Sequence, residues 1–171
     1  MARRASASIV GWRKRAVRRM AAVRRSTLAL VARLPEREIG RPRTQDRWSV
    51  KDVLGHLMAC DEETAKRFKL IGRGQADKIY WFESMADADR FNARTVARAR
   101  RMRLSTVLRG MARARKEMIR HFGKLPLATL RDPSHAYTIV SWLTAPGWSH
   151  ERDHVGEIKT WWRGRRAARN R

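Results

Sequence analysis

The chain has 171 residues, only five prolines and ten glycines, one cysteine and a formal net charge of +24. That length suits a single domain with a core of its own, and the lone Cys60 excludes an internal disulfide and fits a reducing, cytoplasmic setting. No stretch nears the roughly 20 apolar residues of a bilayer span, so no membrane is expected, and the short apolar run after Arg3 and Arg4 passes straight into Trp12-Arg13-Lys14-Arg15, which makes a poor export signal.

Residues 12–34 read as the first helix. Trp12, Ala16, Met20, Val23, Thr27, Val31 and Leu34 recur at spacings of three and four, one face of a helix. Arg13, Lys14, Arg18, Arg19, Arg24 and Arg25 fall to the remaining faces, and Pro35 ends the pattern. A connector over 36–48 follows. Ser49 opens the second helix as its cap, with Asp52 completing a capping box. Its inward stripe is Val50, Val53, Leu54, Leu57, Asp61, Thr64, Ala65 and Phe68, in which Asp61 is the odd member; Gly72 and Gly74 end it.

The link over 75–85 carries Tyr80-Trp81-Phe82, which reads first as a lid on the bundle end and second as a pocket mouth. A third helical region runs over 87–122. Its stripe slips phase between Met102 and Leu104, which places a break near 103–105 with Ser105 as the cap of a fresh helix. A loop with Pro126 and Pro133 leads to a last helical region over 139–163. Pro146-Gly147 interrupts it, and the main helix should start near Pro146. Residues 1–163 then make one domain, and 164–171 a basic tail that frays. No segment alternates as a strand does. The fold class is all-α, a four-helix bundle.

His150 and His154 are four apart on that last helix, so their side chains lie one above the other, with Cβ atoms about 6 Å apart. Two such imidazoles can share a metal ion, and His56 is the obvious third ligand from another helix. Three neutral imidazoles suit a divalent ion such as Zn, Ni, Fe or Cu. They leave a coordination position open for water or substrate, as in catalytic rather than structural sites. Residues 150–154 also match the zinc-protease pattern H-E-x-x-H. No strand stands beside it and no ligand follows Glu157, so that reading is rejected and Glu151 is expected to face solvent. Near the site, Cys60 is a fourth ligand or a small core residue, Glu63 or Glu157 an acceptor for a ligand imidazole, and Asp61 an acid/base group if buried there. Trp48, Trp142 and Trp148 are candidate pocket walls. His121 and His135 lack partners at ligand spacing and read as surface residues.

The stretch Trp48-Ser49-Val50-Lys51-Asp52-Val53-Leu54-Gly55-His56-Leu57 resembles the W-S-x-x-D-x-x-x-H-L signature of the DinB-like superfamily. Asp89-Arg90-Phe91-Asn92-Ala93 resembles its third-segment motif. His150, His154, Ile158 and Trp161 resemble its H-x-x-x-H-x-x-x-I-x-x-W ending, and Thr144 is similar to the ClbS/DfsB branch. The resemblance implies an up-down-down-up four-helix bundle with a metal-binding triad at His56, His150 and His154. Known members include thiol-dependent transferases, isomerases and a hydrolase that inactivates a genotoxin. Leu143, Arg152 and the residues Ala59 to Asp61 depart from the branch pattern, which leaves the substrate open. The expectation is a metal-dependent hydrolase or thiol-dependent transferase acting on a small electrophilic substrate, with no individual catalytic residue assigned. Two alternatives stand beside it: a nonspecific nucleic-acid-associated basic protein, and a bundle that sequesters a ligand without chemistry. Drift of a whole proteome toward Arg and Ala would explain the charge without any partner. A homodimer is open.

Overall fold

The computed structural model describes residues 2–43, 48–132 and 137–169, with side chains from residue 8 onward. Among the described residues every regular element is helical: α1 (Ala2–Val31), α2 (Glu36–Ile39), α3 (Val50–Ile71), α4 (Met85–Arg100), α5 (Leu104–Lys124), α6 (Ile139–Trp142) and α7 (His150–Arg169). Pro42 and Ser49 form one isolated bridge. No helix among them is long and apolar enough to cross a membrane.

Cross-helix pairs give the directions. Asp61 meets Arg115 and Phe68 meets Phe122, so α3 and α5 run parallel. Trp12 meets Phe122 and Arg24 reaches the Met111 carbonyl, so α1 runs against α5. Glu151 lies beside Arg24 and Thr27, and Ile158 joins Val31 in the core, so α7 runs with α1. The order α1, α3, α5, α7 is therefore up, down, down, up. The helix α4 is the return leg between α3 and α5, antiparallel to α3 through Asp52–Arg100 and Glu62–Arg98.

The apolar core falls into two parts. One holds Met20, Phe68, Met118, Phe122, Leu130 and Leu143. The other holds Val31, Val53, Leu54, Met58, Met111 and Ile158.

The capping box at Ser49 and Asp52 forms as read from the sequence, and Gly72 caps the far end of α3. Four boundaries differ. The first helix starts ten residues earlier than the apolar stripe, because its leading turns are rich in Ala and Arg, good helix formers. The connector contains α2. Ser105 is not a cap: Arg103 holds that place, without a side-chain hydrogen bond, and Ser105 lies inside α5. Finally, the last helix opens at Pro146 as expected, with a wide helical turn over Ala145–Ser149 that runs straight into α7, but it continues to Arg169 and does not fray at residue 163. Arg165 Nε sits 2.6 Å from the buried Glu38 carboxylate and Arg169 Nη1 3.8 Å from it, which ties the basic end of α7 to α2.

Candidate metal centre

The reciprocal bonds of the Ser49–Asp52 box fix the first turn of α3, and His56 follows two turns on, 4 % exposed. On α7, His150 and His154 are successive rungs of one face. The wide turn before His150 and the packing of Gly147 on Met20 and Leu143 bring that face to α3. His150 Nε2 lies 3.3 Å from His56 Nε2 and 3.0 Å from His154 Nε2. One ligand atom from each of the three rings lies within 4.8 Å of the others. Two imidazole nitrogens bound at about 2.0–2.1 Å to one ion stand roughly 3.0–3.4 Å apart. The two spacings to His150 match that range, and the three ligand atoms are grouped closely enough for a common ion.

Two of the donors are pushed toward the neutral form that binds metal. Burial, reinforced by His150 and His154, pushes the His56 imidazole down from 6.5 to about 3. Burial and His154 lower His150 in the same direction. His154 Nδ1 faces Glu157 Oε2 at 3.3 Å, and Arg43 Nη2 holds that carboxylate at 3.2 Å. A proton kept on Nδ1 by the carboxylate leaves the Nε2 lone pair free for coordination. Of the two carboxylates considered from the sequence, Glu157 orients a ring, whereas Glu63 turns to Lys66 and Arg67. Cys60 Sγ stands 3.6 Å from His56 Nε2, and burial pushes its thiol up to about 12, so unaided it stays neutral.

Aromatic rings wall the cluster. Trp48 is 5.2 Å from the His56 ring and stacks at 6.3 Å on His154, and Phe91 meets His56 edge-on at 6.2 Å. Phe82 packs on Phe91 while Trp81 packs on Trp142 and under Arg67. The 80–82 strap thus closes the bundle end through Trp81, as the first reading had it, while Phe82 reaches the Phe91 ring beside the cluster. Trp142 belongs to the core beside Phe68, and Trp148 lies under Arg19, so Trp48 alone of the three tryptophans walls the site. A cleft of about 370 Å³ shares Phe91 with the cluster, with Ala59, Glu63, Arg94 and Thr95 among its walls.

Glu151 corrects the sequence reading. It is 1 % exposed and points into the bundle, away from solvent. Arg24 Nε and Nη2 donate to its two oxygens at 2.8 and 3.1 Å, Arg115 Nη2 donates at 2.6 Å and Thr27 Oγ1 at 2.6 Å. Arg24 and Arg115 also donate to Asp61 at 2.9 and 3.0 Å. Arg24, placed on an outer face from the sequence, is buried. Asp61 is committed to two guanidiniums and is no free acid/base group. Each long bundle helix supplies one charge to this neutral quartet, which lies between the two apolar clusters. Burial opposes the charged form of Glu151, but Arg24 and Arg115 outweigh it and hold the carboxyl below its usual range. No motif announced the quartet, although Asp61 within an apolar stripe was a visible sign of it. The carboxylate of an H-E-x-x-H protease would have to face the metal; here it faces away. His121, half-buried beside Glu117 and Arg120, stands apart from the cluster, and His135 lies outside the described residues.

Against known proteins, a family model described as the DinB superfamily matches residues 19–158, most of the chain. No curated protein and no solved structure matches it.

Proposed function

The chain belongs to the DinB superfamily, and from that premise we propose that it binds one divalent transition-metal ion through His56, His150 and His154 and acts on a small electrophilic substrate. The observation that carries the reading is the convergence of three Nε2 atoms at 3.0 and 3.3 Å spacings. A divalent ion held by three imidazoles supplies Lewis-acid chemistry to whatever occupies its open position, water or a thiol. The chain's own residues do the rest. Glu157, braced by Arg43, keeps the proton on His154 Nδ1. Trp48 and Phe91 exclude bulk water from the rings, and the cleft beside Phe91 admits a small molecule. Both hydrolysis and thiol transfer fit this arrangement.

Elemental analysis of untagged protein tests the metal. About one equivalent of Zn, Ni or Fe per chain is expected, and its loss in His150→Ala. Metal-free protein that takes up none of these ions at neutral pH would overturn the reading. The loaded protein is then assayed with a nitrophenyl ester, and with a free thiol plus an activated aryl halide. Metal-dependent turnover of either supports the chemistry; full occupancy with neither reaction rejects the enzymatic part alone.

A further inference from the structure

We propose that the outward face of α1 is a nonspecific binding surface for the phosphate backbone of duplex nucleic acid. Over its 30 residues α1 contains no Asp or Glu. Lys14, Arg15, Arg18, Arg19 and Arg25 are exposed along it. Among the described residues no carboxylate pairs with any of them; Arg19 rests on the Trp148 ring. The neighbouring α5 adds Arg109 and Lys116, exposed before its first acidic residue, Glu117.

Compositional drift alone would scatter such cations evenly. On the α3–α4 side many cations are instead matched: Arg98 with Glu62, Arg100 with Asp52, Lys66 and Arg67 with Glu63, and Arg90 with Asp87. The uncompensated charge is concentrated where acids are missing.

Geometry and chemistry favour phosphate in a duplex over a bilayer. At 1.5 Å per residue, Lys14 to Arg25 spans roughly 17 Å, which matches about five phosphates along one strand. Four of the five cations are arginines, whose planar fork takes two phosphate oxygens at once. A helix that lies in a membrane needs an apolar outer face. In α1 the apolar residues Ala16, Met20 and Val31 are buried in the bundle, and among the described residues none of the exposed large apolar side chains belongs to this helix. Charged groups without base-reading partners hold a duplex in place but do not read its sequence. This surface is independent of the histidine cluster.

The test is fluorescence anisotropy of the full chain with a short random-sequence DNA duplex, titrated with KCl. The expected slope of log K against log[KCl] is about −4, since each neutralised phosphate contributes roughly −0.9. Lys14→Glu/Arg18→Glu/Arg25→Glu should reduce the slope magnitude by about 3 and weaken binding more than tenfold at low salt. A control of equal charge change, Lys78→Glu/Arg94→Glu/Arg101→Glu, should keep the slope. If the α1 triple melts early, Lys14→Gln/Arg18→Gln/Arg25→Gln replaces it. Equal losses in both triples, no duplex binding at low salt, or binding to phosphatidylserine vesicles that duplex does not displace would each overturn the proposal.

Discussion

His56 is both buried and unprotonated, and that combination makes the protein sensitive to acid. Released by unfolding, its imidazole takes up a proton below about 6.5, whereas in the bundle it stays neutral down to about 3. Unfolding therefore binds a proton across that window, and stability falls as pH drops from 6.5 toward 3. Urea midpoints of metal-free protein should decline steadily through this range, and His56→Phe should flatten the decline. A profile unchanged by that substitution would place the acid sensitivity elsewhere. Glu151 is the second residue whose environment is decisive. Glu151→Gln leaves two buried guanidiniums sharing one carboxylate, and losing one partner of a buried ionic network costs about 3–5 kcal/mol. Glu117→Gln removes an equal charge from the exposed Arg120 pair and should barely move the urea midpoint. Similar losses from the two substitutions would mean that the quartet is not the buried network described here.

The helices α3 and α4 approach closely at Gly55, where an added Cβ would collide with the Ala99 Cβ. Gly55→Ala must push α4 outward, with Phe91 on it, and overpacking of this kind costs about 1–3 kcal/mol. Gly156, on the open side of α7, has nothing within 4 Å of its added Cβ, so Gly156→Ala should stabilise the helix by about 0.5–1 kcal/mol. Thermal denaturation distinguishes them: opposite signs are expected, and a stabilising Gly55→Ala would refute the close approach. Elements like α3 were legible because their signals are local. Ser49 and Asp52 are three residues apart, and the apolar stripe and Gly72 lie on the same stretch. The break between α4 and α5 was legible from the phase slip. The start of the last helix was legible from Pro146, but its length was not, because that depends on Glu38, 127 residues from Arg165.

The histidine spacing could be read because two of the rings sit on one helix and the third on a recognisable cap-and-stripe segment; the quartet could not. Its four members come from four helices, 36 residues apart at Arg115–Glu151 and 127 apart at Arg24–Glu151, and no pattern along the chain links them. Arg24 follows Met20 by one turn, yet a residue of that type is ordinarily assigned to solvent. Together the quartet and the histidines explain how α7 is held. It packs chiefly on α1, its Glu151 reaches Arg115 on α5 and its His150 reaches His56 on α3. An ion at the three rings would join α3 to α7 and bind only the folded bundle, so it must stabilise the whole molecule by mass action. At free metal one hundred times Kd the gain is about 2.7 kcal/mol, which for a domain of this size raises Tm by about 5–10 °C. Zn or Ni should produce that shift in scanning calorimetry, and Mg, which prefers oxygen ligands, should not. His56→Ala and His150→Ala should each abolish it, although they lie on different helices. A shift that survives either substitution would mean that the ion binds elsewhere and that the two helices are not bridged.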